Sequence, residues 1–431
     1  MEKKILNLLI ILFTTNSLWA QESKSSDENY KKRVLESTEI DFLMSYYSQD
    51  GDNAAVTGGI GSEELKDIAP TLIVSVPLND DDVLTVEAGI SAYTSASSSN
   101  INPFDGSGPA DPFQASSGAS QTDVWMHGAG TYSHSSDNRN QIWTGKLSVS
   151  SEFDYSSFGF GGSFTRLFNE KNTEVTLSGN VYLDQWKKLF PYELRSFVPG
   201  GSGHSSFFPS GYNPKFDGLD GKNRNSYSAG LVITQILSKK LQGAILADGV
   251  FQKGLLSTNY QRVYFSDYPD YFVDNFQLAD DVERLPNSRT KIAVGARLNY
   301  YLNERFVLRS FYRYYTDNWG ISSHTASLEI PVKISDKLTV YPSYRYYSQT
   351  AADYFAGYNE HLSTEKYYTS DYDLSKFNAN QYGIGLRYTD IFTEHHIGLL
   401  KIKSFDLKYN YYKRDSSFKA NFISFGVSFV L

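Results

Sequence analysis

Three groups of residues in this sequence have types and spacing that could carry chemistry. The first is "QDGDNAAVTGGIGSEEL", Gln49 to Leu65, with clustered carboxylates and four glycines. A phosphate-cradling loop needs Lys-Ser/Thr after its glycines and a helix start to supply N–H dipoles. Here Ser62-Glu63-Glu64 follows instead, and its charge would repel a phosphate. A calcium loop of EF-hand type, counted from Asp50, would meet Ala54 at position five, Ala55 at six and Gly61 at twelve, so the match fails. Two readings remain: weak calcium binding by Asp50, Asp52 and Glu63, or a glycine-permitted turn.

The second group is the histidines. His134-Ser135-Ser136 and His204-Ser205-Ser206 each have the spacing of a His/Ser pair that could serve an esterase on a barrel strand. The first falls at a short turn and the second in a Gly/Ser-rich loop, so neither sits on a rigid strand, and we expect no enzyme activity. His395-His396 reads as a solvated pair in a turn rather than a metal site. The sequence has no cysteine, which removes disulfides and thiolate metal sites. No catalytic residue, metal site or cofactor is expected.

The third group is basic: Lys291, Arg297, Arg309, Arg313, Arg345, Arg387, Lys408 and Arg414, with Glu329 and Asp406 as the main opposing charges. These residues share a face only if their segments are strands. They then form either a salt-bridged wall or a stripe that lowers the barrier for anions.

The elements that must position them show period two. "VLTVEAGISAYTS" alternates Leu84, Val86, Ala88, Ile90 and Ala92 against Thr85, Glu87, Gly89, Ser91 and Tyr93. "RTKIAVGARLNYYL" sets Ile292, Val294, Ala296 and Leu298 against Lys291, Gly295, Arg297 and Asn299. Alternation over about ten residues matches a tilted strand crossing a bilayer. About sixteen such segments run from Thr38 to Leu431. Every other connector is short and polar, as at 79–82, 135–140, 169–172, 238–240, 303–305 and 335–337. The long ones, 49–68, 96–121, 187–222, 255–288 and 350–376, all fall between them. That sorting predicts an all-β, single transmembrane antiparallel barrel with short periplasmic turns, long external loops and both termini periplasmic. Leu302 and Phe306 should both face lipid, which predicts a three-residue turn at 303–305 and places Arg309 opposite Asn299.

Residues 1–20 read as a secretory signal: Lys3 and Lys4, the apolar run "ILNLLIILF", and a small residue before Gln21. Residues 21–37 are then a short periplasmic segment and 38–431 the barrel, so no plug domain is expected ahead of the first strand. A net charge of −8 without any Lys/Arg-dense stripe argues against nucleic acid. The repeats "YRYYTD", "YRYYSQ" and "YNYYKR" end ascending strands and suit an interfacial tyrosine girdle.

Several long motifs also carry a resemblance: "SYYSQDGDNAAVTGGIGSEEL", "ISAYTSASSSNINPFD", "RLNYYLNERFVLRSFYRYYTDNWGISSHTASLEIPVKI", "SQTAADYF" and "YYTSDYDLS". With them nearly the whole mature chain resembles the Bacteroidota domain of unknown function 3570 family. The resemblance implies an outer-membrane barrel without assigned activity, and a periplasmic redox or assembly setting. Sixteen strands enclose more space than side chains fill. We therefore expect a passive porin-like channel for small solutes, anions among them. The alternative is a structural or partner-binding barrel without transport. Expected partners are outer-membrane lipid, the barrel-assembly machinery and small solutes.

Overall fold

Alternating apolar faces can be buried without water only if the sheet closes on itself and turns them toward lipid. In the computed structural model they do so. It describes residues 32–94, 122–198, 201, 208–390 and 392–431; residues 1–31, 95–121 and His204 lie outside these. The described strands are β1 (Glu39–Asp50), β2 (Leu65–Pro77), β3 (Asp82–Thr94), β4 (Thr122–Ser135), β5 (Gln141–Ser151), β6 (Tyr155–Phe168), β7 (Thr173–Trp186) and β8 (Asn223–Ser238). They continue as β9 (Leu241–Gly254), β10 (Ser288–Tyr301), β11 (Val307–Asp317), β12 (Ser322–Glu329), β13 (Leu338–Gln349), β14 (Phe377–Thr389), β15 (Leu400–Arg414) and β16 (Lys419–Val430). Each pairs antiparallel with the next, and β16 pairs with β1 from Glu39↔Val430 to Asp50↔Lys419, closing a sixteen-stranded barrel. Two short segments, Val332–Lys333 and His396–Ile397, pair onto the same sheet.

Facing follows the alternation. Leu147, Leu177, Ile245, Ile292, Val294, Leu298 and Ile384 are exposed on the outer surface, an apolar band that suits hydrocarbon. The turn after β10 is the three-residue one: Leu302 N–H donates to Phe306 O at 3.1 Å. Asn303 Oδ1 accepts from the amides of Arg305 and Phe306, which fixes the reversal. The resulting register sets Asn299 against Arg309 and Arg297 against Phe311, as expected. Both barrel termini lie at the end of the short turns.

The tyrosine repeats divide between the two faces. Tyr312, Tyr314, Tyr344, Tyr346 and Tyr409 are exposed on the outer face. Several of their hydroxyls donate to acceptors on the neighbouring strand, as Tyr344 does to Asn380 and Tyr409 to Asn421, both at 2.7 Å. Tyr315, Tyr347 and Tyr412 take the opposite parity and point inward.

Val294→Arg or Leu177→Arg should destabilise the membrane-inserted barrel by about 2–4 kcal/mol near the bilayer midplane. Thr176→Arg, on the inner face, should be tolerated. Urea titration of barrels folded into liposomes reads the difference.

Candidate functional site

With strands about 4.8 Å apart and tilted about 40°, sixteen of them enclose a ring about 30 Å across. What occupies that space decides what the barrel can do. At the loop end it is a packed cap. Among the described residues the largest fully buried side chains are Arg262, Tyr368, Phe265, Phe276, Leu194 and Leu278, and every one of them belongs to a loop. Leu194 and Phe216 of loop 187–222 pack with Tyr264, Ala279 and Val282 of loop 255–287, and Tyr368 of loop 350–376 packs with Val263 and Phe265.

Arg262 joins three of these loops. Its guanidinium, 1 % exposed, donates to both oxygens of Glu193, at 2.6 and 3.1 Å, and to Val56 O at 3.2 Å. The connection between β9 and β10 is eight strands round the ring from that between β1 and β2. A contact between Arg262 and Val56 therefore means that loop 255–287 reaches across the mouth. Loop 350–376 is tied in by backbone bonds both ways between Arg284 and Tyr368, at 3.0 and 2.8 Å. Tyr368 also donates to Asp281, and Thr369 to Glu283, each at 2.5 Å.

The stretch at Gln49–Leu65 now has its explanation. Gly58 and Gly59 have φ of 78° and 90°, and a Cβ on them would sit 2.7 Å from the Tyr264 ring and 2.8 Å from Ser370 O. Only glycine permits both the left-handed backbone and this close approach to the cap. The acidic residues there are dispersed: Glu63 Oε1 accepts from Asn53 N–H at 2.8 Å, and Asp50 pairs with Lys419 at 3.0 Å. Among the described residues no three His, Asp or Glu side chains form a metal-binding group. His134 Nδ1 lies 2.7 Å from Asp82 at the turn end, and among the described residues no serine is hydrogen-bonded to its ring. His395 bonds Asp390 at 3.0 Å within its own turn.

Below the cap the inner wall carries the basic residues, now sorted into two sets. Arg309 and Lys408 share Glu329, at 3.0 and 3.3 Å, and Arg387 pairs with Asp406 at 2.8 Å. Tyr341 lies between these pairs, donating to Asp406 at 2.7 Å, with its ring over Gly385, where a Cβ would be 2.1 Å away. Arg414 bonds Asp373 of the cap at 2.5 Å and is stacked between Phe377 and Phe418, its guanidinium 4.3 and 4.2 Å from their centroids. Lys291 is half-buried, opposite Asp317, whose carboxylate is taken by Arg289 at 2.5 Å. Arg297, Arg313 and Arg345 are exposed to the lumen and have no carboxylate partner among the described residues. The register Arg297↔Phe311↔Ser327↔Arg345 puts two of them in one row, and Arg313 stands one row nearer the cap. On this side the wall is thus salt-bridged toward the turns, with three arginines that have no carboxylate partner among the described residues above.

A sequence profile of the DUF3570 family matches residues 8–422. The chain belongs to this family of proteins of unknown function. A search of curated proteins gives no match. Among solved structures this family member is similar in course to a bacterial polysaccharide outer membrane secretin, at 9 % identity and a TM-score of 0.44, covering 91 % of this chain and 98 % of that one. It is similar also to a BenF-like porin from Pseudomonas fluorescens Pf-5, at 9 % identity and TM-score 0.40 over 92 % and 100 % of the chains. A FadL homologue from Pseudomonas aeruginosa aligns at 9 % identity and TM-score 0.40 over 92 % and 91 %.

Arg262→Met or Glu193→Gln alone should destabilise the cap by about 3–5 kcal/mol, because each leaves a buried charge unpaired or a fork half-made. Replacing both with apolar residues should cost less. Hydrogen exchange of loop 255–287 in the folded barrel measures it.

The cap also predicts a pH dependence. Burial pushes the Asp280 carboxyl up to about 7 and, with the Asp371 charge adding to it, Glu283 up to about 8. Folded values raised above the unfolded ones stabilise the cap fully below about pH 4, and that contribution is lost as pH rises through 7 to 8. The opening free energy of the loop, from exchange rates corrected for base catalysis, should therefore fall between about pH 4 and 8, and Glu283→Gln should flatten the upper part of the fall.

Proposed function

We propose that this protein is an outer-membrane, porin-like channel for small solutes in which anions are favoured. The barrel's turn end, with both termini, faces the periplasm, and the capped end faces outward. The carrying observation is the set of three arginines, without a carboxylate partner among the described residues, exposed on the inner wall of a barrel too wide for side chains to fill. Fixed charge acts over about a Debye length, ~8 Å at physiological ionic strength, so a patch in an open 30 Å lumen would barely influence transit. The cap provides the required narrowing, because it brings protein across the mouth on the cation-bearing side, where Asp373 meets Arg414. Solutes then pass between the cap and a wall of positive potential.

A second reading, a barrel that docks a periplasmic partner and transports nothing, is favoured by one observation. The turn after β14 carries exposed Phe392, Ile397 and Leu399 at the turn end. An exposed apolar tip suits an interface with a protein of a periplasmic redox or assembly system.

Planar-bilayer recording separates the two. Arg297→Glu with Arg313→Glu should shift the reversal potential toward cations in a low-salt gradient, and the shift should shrink at high salt. A barrel that does not conduct supports the docking reading. One that conducts with unchanged selectivity reduces the arginines to wall structure.

A further inference from the structure

Where the cap meets the wall there is a cavity of about 460 Å³, within the range of small-ligand sites. Its floor is built from inward positions of β1, β13, β14, β15 and β16, and its roof from Glu63 and Asp373 of the cap. Six of its thirteen lining residues are aromatic. Tyr347 lies against Phe377, centroids 5.6 Å apart, and Tyr47 against Phe422 at 4.7 Å. The third tyrosine of two of the three repeats supplies a wall: Tyr347 from "YRYYSQ" and Tyr412 from "YNYYKR".

The polar groups are almost all committed. Gln49 accepts from the Tyr47 hydroxyl at 2.6 Å and donates to Glu63 O at 2.7 Å. The Tyr347 hydroxyl donates to Gln349 at 2.6 Å, and Gln381 donates to Asn410 at 3.1 Å. Arg414 is held by Asp373. Arg345 is the one lining cation with no carboxylate among the described residues. Glu63, the roof carboxyl, accepts from the Asn53 amide at 2.8 Å.

We propose that this cavity binds a small, flat monocarboxylate whose carboxylate rests on the Arg345 guanidinium and whose apolar body packs among Tyr47, Tyr347 and Phe422. One free guanidinium matches one negative charge and can grip a carboxylate with two parallel hydrogen bonds. A polyhydroxylated acid would surrender its water bonds to a wall with few donors or acceptors left, whereas a ring meets aromatic faces it can pack on. Arg297 and Arg313 on nearby strands raise the local concentration of anions without touching the ligand.

The site stands on geometry alone and does not require that the barrel conduct. Calorimetric titration of the full chain in detergent micelles, with phenylacetate, 2-phenylethanol and gluconate as probes, tests it. Phenylacetate should bind saturably and at least ten-fold tighter than either of the others. Arg345→Gln should weaken it at least ten-fold, while Arg345→Lys keeps part of the affinity. No binding of phenylacetate, equal binding of 2-phenylethanol or gluconate, or an unaltered affinity in Arg345→Gln would overturn the proposal. Should Arg345→Gln fail to assemble, the wild-type probe comparison together with Tyr347→Ala, expected to weaken phenylacetate, decides the matter. Binding without conductance would remove the channel reading and leave the site. Conductance without binding would do the reverse.

Discussion

The Arg262 guanidinium imposes the central constraint on this molecule. A cation with 1 % exposure is tolerable only if its donors are matched, and Arg262 finds that match in Glu193 and Val56, from two other loops. Meeting this requirement draws loop 255–287 across the mouth and brings loops 51–64 and 187–222 to it. The rest of the interior then follows. The glycines at 58 and 59 must be glycines because the cap lies against them. The lumen beneath is reached past the cap rather than through an open ring.

The molecule is organised opposite to a soluble domain. Its apolar strand faces point out, its strand interior is largely polar, and its packed core is made from loops. The aromatic content serves all three zones. Outward tyrosines bond to neighbouring strands, inward ones line the cavity under the cap, and Tyr264, Phe265 and Tyr368 pack within the cap itself. Charge is partitioned in the same way. Glu329 and Asp406 absorb three of the basic residues near the turns, and three arginines nearer the cap have no carboxylate partner among the described residues.

Much of the barrel was legible in the sequence because strand alternation is local. Period two identified the faces of β10, the Leu302–Phe306 pair fixed its turn, and the parity of connector lengths separated the two barrel ends. The inward placement of the basic residues followed from the same parity. Which of them are paired did not, because Lys408 meets a glutamate 79 residues away, across intervening strands. The cap was read only as long loops. Its sequence has no period, and its key contact spans 206 residues. The one local sign was the density of Tyr and Phe in 260–276, more than a solvated loop would carry.

The cap's four loops leave the sheet between β1 and β2, β7 and β8, β9 and β10, and β13 and β14, spread round the whole circumference. Three of them, on the stretch from β7 to β14, pack the apolar clusters among themselves. The bond from Arg262 to Val56 ties those clusters to the β1–β2 hairpin, beside the seam where β16 meets β1. The cap is therefore a strut: it braces the seam side of the wall against the side opposite it.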